Sequence, residues 1–424
     1  MLFLSEVKKV VFSAVFVVFM AALIIMPVSQ DAMNFSRVKL EEPVPGQTYG
    51  QKYEENPEMI MPAALNSLYS EFLYNNYVAY PIGYYKIVKL NEAKREQMAK
   101  IISSLTDISP EELLKRAEEK KSVEETVSEE ADFAVHTPIL EAVSLKADIT
   151  YGAFVEAMQK ADKLIGGGSS YEEKSLTRFC QAPVTYEEAM EQYRLTREED
   201  RFTAGYARLF ADYMIVGVMT LLPVFLAVAL CLKDKRARME ELVFVRRAGA
   251  GRIVAVRYLA VVAAVMIPEL ILAYISNASA WGLYPEEALD YLAPLKYAVI
   301  WILPSVMTSV SVGMFFTELT GTSIAIAIQG LWWFFDSNQG IWERDGCALF
   351  RLIPRHNSLE NTQGWIDHLD KFTANRILFT VMALLLLAGT VWIYSQRRRG
   401  KINGMQKITR NFRKLGNRKS KSQA

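Results

Sequence analysis

The sequence predicts an all-α polytopic membrane protein of six transmembrane helices, with a large, mainly helical extracytoplasmic domain between the first and second. Three observations predict this class. Long apolar runs recur along a chain that is 51% hydrophobic. Lys and Arg gather in alternate gaps between those runs. The widest gap carries helix caps and helix stops.

Roughly 20 helical residues rising ~1.5 Å each cross the ~30 Å hydrocarbon core, and in lipid a run of that length satisfies its backbone as a helix. The runs are Val10–Val28, Tyr213–Leu232, Tyr258–Ile275, Tyr297–Phe316, Leu319–Phe335 and Ile377–Tyr394. The fifth is short and broken by glycine. The first follows Lys8 and Lys9, as a signal peptide would. Its apolar stretch exceeds the roughly 7–15 residues of a signal core, and "MPVSQDAMNF" offers no small-x-small cleavage site, so it reads as an uncleaved helix. Pro223, Pro268 and Pro304 fall inside runs and predict kinks. "WWFF" at Trp332–Phe335 reads as an aromatic belt at the outer interface.

Basic residues concentrate on the cytoplasmic side of a membrane. Lys8 and Lys9 precede the first run; Lys233, Lys235, Arg236, Arg238, Arg246, Arg247, Arg252 and Arg257 fill the gap after the second. The tail "QRRRGKINGMQKITRNFRKLGNRKSKSQA" is basic and holds no acid. By contrast, 276–296 pairs Lys296 with Glu286, Glu287 and Asp290. Six crossings put all three basic segments (1–9, 233–257 and 395–424) in the cytoplasm, and residues 30–208 outside. The tail then reads as an anchor to anionic membrane lipid, with no nucleic acid as partner. These features describe a multi-pass protein of the plasma membrane.

The outer segment has local helix grammar. In "SPEELLKRAEE" Ser109 is the predicted N-cap, Pro110 the first helical residue and Glu112 the partner in a capping box. Thr185 and Glu188 repeat the box in "TYEEAMEQYRL", and Gly166 stops the helix in "YGAFVEAMQKADKLIGGGS". "GGGSS" lacks the Gly-Lys-Ser/Thr of a phosphate loop, so it reads as a helix stop followed by a new cap, Ser170 with Glu173. No Walker A sequence occurs anywhere in the chain.

Few residues suggest enzyme chemistry. The three histidines are scattered and no CxxC occurs, so no metal site is expected. Cys231 lies in a run; Cys180 and Cys347 fall on one side of the membrane, where a bridge and two free thiols are both open. "EELVFVR" (Glu240–Arg246) is one residue too long for the Glu-Glu-x-x-x-Arg signature of an intramembrane protease, and the runs contain no histidine. Glu269 lies about 16 Å along the third run. It is the candidate residue of a substrate path or proton relay, with a simple protonated or paired carboxyl as the alternative.

The layout resembles the permease subunit of type 2 ABC transporters, the mostly exporting class. A cytoplasmic N-terminus, one helix, a large outer domain and five further helices carry the resemblance, and "ARMEELVFVRRAGAGRIVAVRYLA" (Ala237–Ala260) is similar to the family's loop after the second helix. The family's turn proline is replaced here by "RRAGAGR". "AYPIGYYKIVKLNEAKREQMAKIISSLT" looks like the outer domain of permeases from low-GC Gram-positive bacteria. The resemblance implies that Met239, Glu240, Glu241, Leu242, Val243 and Phe244 dock on a separate cytoplasmic ATPase, which binds ATP and Mg. It implies that Arg246, Arg247, Arg252 and Arg257 hold the segment at the lipid surface. It also implies that a second permease copy, or a related permease, completes the path, while this chain binds no cofactor. The competing class is a membrane sensor or scaffold with an outer ligand-binding domain; no signalling domain follows the last run to support it.

Overall fold

The computed structural model describes residues 2–81, 85–127, 142–237, 248–338, 349–356 and 359–400. The chain is mostly helical and divides into two compact units, Met1–Glu42 with Met190–Ala424, and Pro43–Ala189.

The first apolar run is not one helix. Helix α1 (Leu2–Val11) and helix α2 (Ala14–Ser29) meet at 69°. Ser13 makes the break, because its hydroxyl accepts the Phe16 amide at 3.2 Å and so caps a new helix.

The Pro43–Ala189 unit contains β1 (Gln51–Tyr53), α3 (Pro57–Tyr74), β2 (Tyr77–Ala79), β3 (Lys86–Val88), α4 (Glu92–Leu105), α5 (Pro110–Val127), α6 (Tyr151–Ile165), a 3₁₀ turn at Glu173–Phe179, and β4 (Gln181–Pro183). β1 pairs antiparallel with β4, Lys52 opposite Ala182, and β2 with β3, Val78 opposite Ile87. Strands of three residues are too short for an alternating pattern to announce them. Leu68 and Phe72 of α3, Met98 and Ile102 of α4, and Phe154 and Met158 of α6 bury into one core. Cys180 is a free thiol inside that core, and Cys347 lies outside the described residues.

Most of the helix grammar holds. Ser109 accepts the Glu112 amide at 3.2 Å, but the Glu112 carboxylate turns to Arg116 at 3.0 Å, so half of that capping box is traded for an ion pair. Thr185 and Glu188 form both halves of theirs, at 3.2 and 3.1 Å. Gly166 ends α6 at φ 119°, a left-handed conformation that favours glycine. The expected Ser170 cap does not form. Ser169 instead donates through its amide and hydroxyl to Asp162, at 2.8 and 2.7 Å, and the 3₁₀ turn starts without a side-chain cap.

The rest of the chain forms α7 (Tyr186–Glu198), α8 (Thr203–Met214), a π turn (Ile215–Met219), α9 (Pro223–Arg236), α10 (Ala250–Trp281), α11 (Ala293–Tyr297), a second π turn (Ala298–Ile302), α12 (Leu303–Thr320), α13 (Ile324–Asn338), α14 (Thr362–Asp367) and α15 (Leu369–Arg398). Among the described residues, three stretches are long and apolar enough to cross a membrane: α10 with 32 residues, Ala293–Thr320 with 28, and α15 with 30. Counting each bent pair, α1–α2 and α8–α9, as one span raises the number to 5. The fifth run of the sequence differs. Leu319 and Thr320 finish α12, Gly321 closes it at φ 70°, and α13 begins only at Ile324. At 15 residues α13 reaches ~22 Å, short of the hydrocarbon core on its own.

The prolines act unequally. Pro223 opens α9 at a 41° bend, Pro304 opens α12 after the second π turn, and α10 continues through Pro268. Proline has no N–H, and the helix breaks before Pro223. Across that break helix α13 donates from Trp333 Nε1 to Val216 O at 2.5 Å and from Gln329 Nε2 to Thr220 O at 2.8 Å. This changes the reading of "WWFF". Trp332 stacks on Phe379, Trp333 is bonded inward, and Phe335 is the exposed member.

Helix α12 lies at the centre of the bundle, against α9, α10, α13 and α15. Its close approach to α9 needs Gly313, where a Cβ would stand 2.8 Å from Ala227 Cβ and 3.2 Å from the Val224 carbonyl. Conversely, α10 leaves Leu259, Ile267, Ile271 and Ile275 exposed as an apolar stripe, the surface that lipid would cover. Gly313→Val is expected to lower stability by about 1–3 kcal/mol through overpacking. Gly330→Ala, with open space at its Cβ, is expected to leave stability unchanged or slightly raised. Thermal unfolding of the two variants in detergent checks this contrast.

Candidate functional site

The docking residues expected from the sequence, Met239, Glu240, Glu241, Leu242, Val243 and Phe244, lie outside the described residues, as do Arg246 and Arg247. The helices on either side are described. Arg252, in the first turn of α10, is exposed. Arg257 is not at a lipid surface as the resemblance implied. It is buried, with Nε 3.6 Å from Glu6 Oε2, and Glu6 also holds Lys9 at 2.6 Å. α10 is thereby tied to α1 by a shared carboxylate. Nearby chain ends are fastened likewise: Arg397 of α15 pairs with Glu318 of α12 at 2.7 Å, and Arg398 donates to the Ala248 carbonyl at 2.6 Å.

Glu269 sits on the buried face of α10 with Val265 and Ala273, fully shielded from solvent. Neither carboxylate oxygen has a hydrogen-bond partner among the described residues. A carboxyl group in such a setting is stable only with a proton, a cation or a donor from another molecule to balance it. That property keeps it a candidate for the path.

A larger polar site escaped the sequence reading. It gathers at the ends of α8, α12, α13 and α15 around the segment Arg351–His356 ("RLIPRH"), whose Arg351, Leu352, Ile353 and His356 are buried. Asp336 of α13 accepts the amides of Leu352 and Ile353 at 2.9 and 2.8 Å, and stands 3.8 Å from Arg351 Nε. Asp212 of α8 accepts the His356 amide at 2.9 Å and the Trp301 indole N–H at 2.8 Å. Asn375 of α15 donates to the carbonyls of Leu349 and Arg351, both at 2.8 Å.

Around this segment lies a belt of paired charge and aromatic rings. Arg208 and Asp200 form a buried two-bond pair at 2.8 and 2.5 Å. Arg208 also donates to Tyr297 Oη and lies 4.9 Å over the Trp365 ring, while Thr362 donates to Asp200 at 2.9 Å. Arg376 is buried with donors directed at Trp301 O, Ser305 Oγ and Asn375 Oδ1. His356 meets Trp365 and Phe372 edge to face. Burial, and then the Arg208 cation, push His356 down to about 3.

The signal for this site was present but ambiguous. Asp212 directly precedes the second run, Asp336 directly follows the fifth and Arg376 directly precedes the sixth. A charge beside an apolar run ordinarily marks where water begins. Here the helices extend past the apolar run and keep these charges inside, bonded to one another and to a returning loop.

The rest of this unit offers less chemistry. A cleft of about 560 Å³ is lined by Glu42, Tyr193, Arg194, Arg197, Phe202 and Glu287. Four of its charges pair within the cleft, Arg194 with Glu198 at 2.6 Å and Arg197 with Glu287 at 3.4 Å. No cluster of metal-ligating side chains occurs among the described residues.

Because His356 is held below its ordinary value of 6.5, the fold favours its neutral form. Its contribution to stability is complete above about pH 6.5 and is lost as pH falls toward 3. Unfolding in detergent is therefore expected to need roughly 2 kcal/mol less at pH 5 than at pH 8 on account of this residue, and His356→Gln should remove that part of the pH dependence.

No family model, no curated protein and no solved structure matches this chain, so the site must be read from its own chemistry.

Proposed function

We propose that the chain is the membrane-spanning permease subunit of an ATP-driven ABC transporter of the exporting class, powered by a separate cytoplasmic ATPase that binds ATP and Mg. It crosses a bacterial plasma membrane six times, with α13 completing the count, both termini cytoplasmic and Pro43–Ala189 within the outer domain. The observation that carries the reading is the loop between α9 and α10. Its middle, Met239–Phe244, is an apolar and acidic stretch among basic residues. Basic flanks explain a cytoplasmic location, but they do not explain an apolar and acidic stretch between them. A docked protein does.

Several features are in keeping with this. The chain has no Walker A sequence, so energy would have to come from a partner. The loop leads straight into α10, whose first turns bear Arg257, ion-paired with Glu6 of α1. A push on the loop is thus delivered to two helices at once. Two permease copies, or this copy and a related one, would enclose the path. ATP binding shifts the equilibrium between two arrangements of the helices only if the ATPase contacts differ between them.

Co-purification tests the reading. Glu241→Lys or Leu242→Asp is expected to lose an ATPase that the parent chain retains. Retention by both variants would remove the docking assignment, and absence of any ATPase from the parent preparation would favour a sensor. Glu269→Gln is expected to keep the ATPase bound but to cut ATP-dependent transport at least tenfold; full transport by that variant would free Glu269 of a role in the path.

A further inference from the structure

Between α13 and α14 the chain turns back into its own bundle. Phe350 is 75% exposed, whereas the next residues, Arg351, Leu352 and Ile353, are buried. From Arg351 to His356 the backbone is neither helix nor strand. Connecting loops ordinarily run over a surface, because buried irregular backbone leaves amides and carbonyls without partners. In this segment the partners are side chains from separate helices: Asp212 of α8 on the His356 amide, Asp336 of α13 on the Leu352 and Ile353 amides, and Asn375 of α15 on the Leu349 and Arg351 carbonyls.

We infer that Arg351–His356 is a releasable stopper that closes one end of the helical bundle. The segment is gripped by single side chains on three helices, so its bonds hold only while α8, α13 and α15 keep their present spacing. Two of the three are poorly suited to rigidity. α8 runs into a π turn and a 41° bend, and α13 has 15 residues. Separation of these helices breaks the bonds together and exposes charged and amide groups that water can satisfy at once. Leu352 and Ile353 supply the apolar body that fills the end when it is shut. The inference rests on the transport reading for one thing, the existence of a path between the two copies, whose end the stopper of each copy would help to close.

The test is thiol labelling in intact cells, with Cys180, Cys231 and Cys347 replaced by Ser. Phe350→Cys and Ile353→Cys are each exposed to a membrane-impermeant maleimide, with and without depletion of cellular ATP. Phe350→Cys is expected to react rapidly in both conditions. Ile353→Cys is expected to react at least tenfold more slowly than Phe350→Cys in depleted cells, and at least tenfold faster in energised cells than in depleted ones. Asp336→Asn is expected to speed Ile353→Cys without energy and to leave Phe350→Cys unchanged. Leu352→Cys replaces Ile353→Cys if the latter is not made. Equal rates at 350 and 353 in depleted cells would show that the end is not closed, and overturn the inference. Protection that persists in energised cells and in both Asp336→Asn and Asp212→Asn would mean a fixed core, and overturn it equally. A response to Asp336→Asn but not to ATP would uphold the stopper and count against the ATP-driven reading. If Phe350→Cys reacts only with a membrane-permeant maleimide, this end faces the cytoplasm; the orientation fails, and the same comparison is read with the permeant reagent.

Discussion

Buried backbone that is not in a helix must have each amide and carbonyl met by another group, and the Arg351–His356 segment meets this demand with borrowed side chains. Asp212 and Asp336 are the critical donors of acceptor capacity. Each carboxylate binds two groups that would otherwise be orphaned, the His356 amide and Trp301 indole in one case, the Leu352 and Ile353 amides in the other. Those bonds fix where α8 and α13 stand against the segment. Asn375 does the same for α15, and its Oδ1 in turn holds the buried Arg376 guanidinium. Removing one carboxylate would leave two buried N–H groups without their acceptor, which is why breaking such networks costs more than their formation contributes.

The same demand explains features elsewhere in the bundle. The chain before Pro223 widens into a π turn, where the Val216 and Thr220 carbonyls accept from Trp333 and Gln329 of α13. α13 is thus a helix with donors on its inner side and Asp336 near its end, short in length but bonded to the π turn, to Thr220 and to the returning segment. At the other end of the helices, Glu6, Arg257, Glu318 and Arg397 fasten α1 to α10 and α12 to α15. Between these two polar ends, Glu269 is the exception, a carboxyl group with no partner among the described residues.

What was legible in the sequence was what depends on neighbours along the chain. Apolar runs located helices, Thr185 and Glu188 located a capping box, and Gly166 located a stop. What failed depends on neighbours in space. Ser13 splits the first run because its hydroxyl has an amide to cap, and Gly321 splits the fifth because glycine takes a left-handed turn. Ser169 displaces Ser170 because Asp162 lies within reach. Asp212, Asp336 and Arg376 stand at run edges, where sequence alone cannot distinguish a solvated end from a buried bond. Arg257 was assigned to lipid for the same reason, as its partner Glu6 lies far away in sequence. The expected docking turn at Met239–Phe244 rests on sequence alone.

The claim on which most depends is that the Arg351–His356 backbone is bonded inside the bundle. Hydrogen exchange of the amides of Leu352, Ile353 and His356 in the detergent-solubilised chain tests it most directly. The expected result is exchange as slow as that of the central helix α12, with Asp336→Asn releasing Leu352 and Ile353 first. Complete exchange within seconds in the parent chain, as for an exposed loop, would contradict it.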